Sequence, residues 1–143
     1  MSARAAIRAG MVTCAEAFQT ANPTYLRAVH AVRPTRFSGD LPMCYIDFLS
    51  EDVLHTAGTQ QREATPSFVI VHRPIENDEQ TTAADAIADA FIEHLKDYAH
   101  IASNMVWSRM RVTDESIELG DGTVYPTIRF SLLDVTVMTG RTG

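Results

Sequence analysis

Long hydrophobic runs are missing from this sequence. The strongest, Phe68–Val71, covers only a few residues, far short of the roughly 20 that cross a bilayer as a helix. Cysteine is scarce as well. Cys14 and Cys44 make at most one bridge and neither sits in a C-x-x-C pair, so both read as free thiols of a cytoplasmic fold. Basic residues are outnumbered, 12 against 18 acidic ones, for a formal net charge of −6. A protein that tracks phosphates usually carries the opposite balance, which disfavours generic nucleic-acid binding. Near the N-terminus Arg4 and Arg8 precede Glu16, which interrupts the apolar stretch a secretory leader would need.

Chemistry-bearing motifs are equally sparse. There is no G-x-G-x-x-G or G-x-x-x-x-G-K-[ST] phosphate loop, and Ser67, Ser103, Ser108 and Ser131 occupy no G-x-S-x-G elbow. His30, His55, His72, His94 and His100 include no i, i+4 pair of the zinc-protease type. Neither a cofactor nor a metal is expected. What remains is an ordinary globular balance, 143 residues with 45% hydrophobic and 21% charged. That length suits one domain, spanning 1–143, with enough chain to bury a normal core.

Residues 2–22 predict an amphipathic helix, with Ile7, Met11, Cys14, Ala15 and Phe18 on one face and Asn22-Pro23 as its end. Leu26–Phe37 reads as extended, although Pro34 confines it to an edge or ends it early. Met43–Leu49 follows as a strand, with Cys44, Ile46 and Phe48 opposite Met43, Tyr45, Asp47 and Leu49. The polar stretch 50–66 reads as a long hairpin arm with β-paired flanks, and Ser67–His72 as a β-rich strand. A second helix, capped by Asp78 or Thr82, buries Ala84, Ile87, Ala88, Phe91, Leu95 and Tyr98. Strands at about Met105–Val112 and Val124–Met138 flank a turn at Gly120-Asp121-Gly122, and a phase switch at Leu132-Leu133 marks a bulge or a doubly buried strand. The expected fold is α+β: a mixed, mostly antiparallel sheet packed against two helices, in the order α-β-β-β-α-β-β.

Charge is organised. Asp85, Asp89, Glu93 and Asp97 recur every four residues, a spacing at which each like-charged pair costs about 0.2–0.5 kcal/mol in an isolated helix. The stripe is either a solvated face or a wall that repels nucleic acid or meets a basic partner. Arg109 and Arg111 alternate with Met110 and Val112, giving one basic strand face, suited to surface salt bridges or to an acidic neighbouring subunit. Residues 1–40 carry five arginines against Glu16 and Asp40, a net of +3, and the remainder sums to −9. Such a split suits head-to-tail association.

The N-terminal helix, the Leu41-Pro42 lead into a strand, the polar arm with Gly58-Thr59 and Arg62, the Phe68-Val69-Ile70-Val71 strand, the alanine-rich acidic helix Thr82–Leu95 and the Val124-Tyr125-Pro126 opening of a last strand together resemble the tail terminator proteins of long-tailed bacteriophages. More loosely they are similar to head-tail joining and minor tail proteins. The resemblance implies a non-enzymatic virion protein of the tail-neck region, assembled in the host cytoplasm into a ring, commonly a hexamer, on the end of the tail tube. The ring stops tube polymerisation and meets the head connector, while DNA passes through an acidic lumen without specific binding. Its partners would be further copies of itself, the tail tube protein and the connector, with no membrane. On that basis Asp85, Asp89, Glu93 and Asp97 become candidate lumen residues. Thr59, Gln60, Gln61, Arg62 and Glu63 become a candidate subunit or tube contact, removable at Gln60–Glu63 without loss of the monomer fold. Arg109 and Arg111 become candidate interface residues. Competing readings are a minor tail or head-completion protein, a small α+β enzyme assembling Asp47, His72 and Arg73, and a ligand-binding module with an apolar cavity.

Overall fold

A computed structural model describes residues 3–35, 37, 41–56, 59–74, 78–98, 105–118 and 122–139. Helix α1 (Ala3–Ala21) is alanine-rich and buries Ile7, Met11, Cys14, Ala15 and Phe18, the face its periodicity predicts. It stops where Asn22 turns back, its N–H donating to the Phe18 carbonyl at 2.9 Å. Helix α2 (Asp78–Leu95) begins with Asp78 and Glu79, which complement its dipole, and buries Ala84, Ile87, Ala88, Phe91 and Leu95. Tyr98 falls beyond its end, half-buried, with its carbonyl accepting the Trp107 indole N–H at 2.7 Å.

The strands are β1 (Ala28–His30), β2 (Met43–Thr56), β3 (Thr59–Val71), β4 (Met105–Val106), β5 (Arg109–Glu118), β6 (Val124–Leu133) and β7 (Val135–Thr139). They form one mixed sheet in the order β1-β2-β3-β6-β5, with β7 continuing β6 alongside β3 and β4 pairing β7. The α-β-β-β-α-β-β order holds, with each of the last two strands broken once. The extended stretch expected over Leu26–Phe37 shrinks to β1. This strand pairs in parallel with β2, so the chain must bend away to return, and Pro34 falls in that return.

One sheet face carries Cys44, Ile46, Phe68, Ile70, Ile128, Phe130 and Leu132 against both helices. The other holds Met43, Tyr45, Val69 and Val71 beneath Phe37 and Leu41. Phe91 of α2 is the junction of the first cluster, its ring centroid 5.0 Å from Phe18, 5.1 Å from Phe68 and 4.9 Å from Phe130. His94 ties the helices together through Nε2, 2.9 Å from the Cys14 carbonyl oxygen. Both thiols are buried and unbridged, and burial pushes Cys14 up to about 12 and Cys44 higher still.

The stretch 50–66 is more ordered than a polar composition suggests. β2 and β3 stay in register to Thr56↔Thr59, and β3 pairs on its other side with β7 from Gln60↔Thr139 to Ala64↔Val135. Deleting Gln60–Glu63 would therefore remove an inner strand of a sheet extension, not a free loop. The register steps once in β2 between Phe48 and Glu51 and once at Asp134, between β6 and β7. Asp134 takes the extra place in a left-handed conformation, φ 54°, which short polar side chains tolerate best after glycine. This step is the phase switch seen in the sequence: Leu132 and Val135 both reach the helix-side core. Of the predicted turn, Gly122 has φ 85°, while Gly120 and Asp121, like Gly58 in the arm, lie outside the described residues.

Candidate assembly surfaces

Asp85, Asp89 and Glu93 are exposed on the side of α2 away from its buried residues. Glu93 is bound to Lys96 at 2.7 Å, which softens the stripe at that end. Asp97 departs from the expectation: α2 ends at Leu95, and Asp97 sits in the following turn with its N–H on the His94 carbonyl. The stripe is thus three residues on the helix and one beyond it. Thr59–Glu63 have their backbone engaged on both sides by β2 and β7, so edge pairing of the arm falls to the outer side of 51–56 in β2.

On β5, Arg109 and Arg111 share the face opposite the helices, as the alternation predicts, because Met110 and Val112 stand across from Leu132 and Phe130. They differ in availability. Arg109 Nε donates to Asp134 at 2.7 Å and Ser108 Oγ to the same carboxylate at 3.1 Å. These bonds hold the Asp134 carboxyl below its ordinary range. Arg111 is exposed and has no ion pair among the described residues.

The residues considered for a scattered catalytic site are not brought together. Asp47 stands opposite Ser67 on the face away from the helices, where it accepts from Arg129 Nη1 at 2.9 Å. His72 lies just past β3, five positions on from Ser67, roughly 16 Å along an extended chain. Among the described residues no three of His, Cys, Asp and Glu converge on a point where a metal would sit.

His72 and Arg73 do line an open groove of about 290 Å³, between the first half of α2 and the segment that leads into β2. Leu41, Ala84 and Ile87 supply its apolar floor, and Arg27 and Arg73 stand exposed at its rim. Neither arginine has an ion pair among the described residues. His72 is only 5% exposed, and its Nε2 finds no hydrogen-bond partner there. Burial lowers its pKa, an effect that Asp85 partly opposes, so the imidazole is neutral near pH 7. Sequence reasoning missed Arg27, which has no local pattern, and also the acidic continuation of β5. The same period of two that singled out Arg109 and Arg111 carries Val112, Asp114 and Glu118 along the other face.

No protein-family model matches the chain, and no curated protein matches it in sequence. Among solved structures, the fold is similar to that of a chain in the virion of a native gene transfer agent particle, with TM-score 0.54 and 14% identity over 96% of this chain and 98% of that one.

Proposed function

We propose that this protein is a structural subunit of a phage-like particle that assembles as a ring, caps the tail tube and presents a surface to the head connector. The observation that carries this reading is the near end-to-end likeness to a chain of a gene transfer agent virion. The subunit itself supports it in two ways. The sheet ends in two dissimilar edges, β1 and β5, as a heterologous, ring-closing contact requires. A paired β-extension, formed by the outer parts of β2 and β3 with β7, reaches beyond the strands that the helices cover, and it offers a contact for the tail tube protein or a neighbouring copy. The Asp85, Asp89 and Glu93 face of α2 lines the lumen in this reading and keeps DNA mobile by repulsion.

Negative-stain micrographs of the purified protein, alone and with tail tube protein, test the class directly. Rings with a central hole are expected at low ionic strength, and fewer at high salt, where charge attraction between subunits is screened. Monomers under every condition would remove the reading. A second measurement addresses the lumen. Replacing Asp85, Asp89 and Glu93 with lysine is expected to leave the subunit folded and the particle count normal, but to reduce DNA delivery per particle. Undiminished delivery from that triple variant would return the stripe to a solvated helix face.

A further inference from the structure

We propose that the groove rimmed by Arg27 and Arg73 receives the acidic, helix-side face of β5 from a second copy of this chain. The inference rests on the ring reading and names the two surfaces that join one subunit to the next.

The donor surface follows from the sheet. β5 is an edge strand, and Val112 and Asp114 stand across from Phe130 and Ile128 of β6, so they share the helix-side face. Glu118, four residues on from Asp114, keeps the same parity and stands opposite Val124. Val112 and Val124 are 43% and 48% exposed. Asp114 and Glu118 are exposed as well and have no ion pair among the described residues. The result is an apolar strip with two unpaired carboxylates.

The acceptor surface is its complement. The groove lies over the ends of β2 and β3, with Arg27 leading into β1 on one side, and pairs an apolar floor with two guanidinium groups that have no ion pair among the described residues. His72 Nε2, buried and without a partner, adds a polar atom that a seated side chain can satisfy. Donor and acceptor are different surfaces built from different residues, so each copy offers one of each, as a head-to-tail ring needs. Gln80, Ala83 and Ile87, which line the groove, lie on the flank of α2 away from Asp85, Asp89 and Glu93. Docking at the groove therefore leaves Asp89 and Glu93 of the acidic stripe uncovered.

A charge exchange tests the pairing by sedimentation velocity and negative-stain microscopy at low salt. Arg27→Glu with Arg73→Glu places like charges across the interface and is expected to weaken association at least about tenfold. Asp114→Arg with Glu118→Arg is expected to do the same. One chain carrying all four changes should form rings again, and so should an equimolar mixture of the two double variants, because every contact is then complementary. Circular dichroism should show native folding throughout, since all four side chains are exposed. Should a double variant misfold, the neutral pair Arg27→Gln with Arg73→Gln gives a smaller weakening in the same direction. Rings that persist in the Arg27→Glu, Arg73→Glu protein overturn the pairing and leave the ring reading intact. So does a folded four-fold exchange that stays monomeric. Absence of rings from the unmodified chain, with and without tube protein, overturns both.

Discussion

Replacing Phe91 with alanine is expected to cost about 3–5 kcal/mol of unfolding free energy. The size follows from position. The side chain is fully buried and meets Phe18 of α1, Phe68 of β3 and Phe130 of β6 at centroid separations of 4.9–5.1 Å. Its removal leaves a cavity where both helices meet the sheet, and the other three rings cannot collapse into it without parting the layers. Against a total stability of roughly 5–15 kcal/mol, that loss brings the subunit near its threshold. Phe91→Leu keeps most of the volume and should cost less than about 1.5 kcal/mol. Urea unfolding followed by circular dichroism measures both, with an unchanged m-value as the sign that only stability has moved. A loss below about 1.5 kcal/mol for the alanine variant would mean that Phe91 is not the junction of the core.

The second large effect is expected on the opposite face. Arg129 is 12% exposed and donates to Asp47 at 2.9 Å, to Glu115 at 3.0 Å and to Ser67 Oγ at 2.7 Å. Burial alone would make its charge harder to keep, but the hydrogen bonds to the two carboxylates outweigh it and raise its pKa. A raised value means that rising pH removes this contribution only above the ordinary arginine range. Arg129→Ala leaves Asp47 and Glu115 close together without their cation and takes from the buried Ser67 hydroxyl the donor it accepts from, leaving only its own bond to the Asp47 carbonyl, for an expected cost of about 2–3 kcal/mol. Both carboxylates are partly exposed, which keeps the figure below that of a sealed ion pair. A double-mutant cycle with Asp47→Ala resolves the pairwise share. Additive losses in that cycle would show that Arg129 and Asp47 act independently.

Much of the fold is legible where one face of an element is continuously apolar. The buried faces of α1 and α2 follow their periodicity, and the alternation in Met43–Phe48 of β2, in β5 and in β6 places the side chains on their observed faces. The reading weakens where backbone pairing decides. Residues 51–56 and 59–64 form strands in which the backbones of β2, β3 and β7 satisfy one another's amides. Pro34 marks Leu26–Phe37 as an edge strand that ends early, and so it does, but β1 pairs with a strand that follows it at a distance, so nothing local places its end at His30. Arg109 looked as free as Arg111 because the left-handed turn at Asp134, which brings a carboxylate to it, has no signature in the sequence. The groove was hidden for a related reason. Arg27, Leu41, His72 and Ala84 come from four separate segments, and only the crossing of α2 over the ends of β2 and β3 makes them neighbours.

The steps at Phe48/Glu51 and at Asp134 fall on both sides of the same short portion of β3. β3 therefore passes from the core to the tip of the extension with its alternation unbroken, while each neighbour gains a residue on the way. In mechanical terms β3 is a spine. A load applied at the tip travels along its backbone and is shared by two rows of hydrogen bonds strained together in shear, so that β2 and β7 are not peeled away one bond at a time.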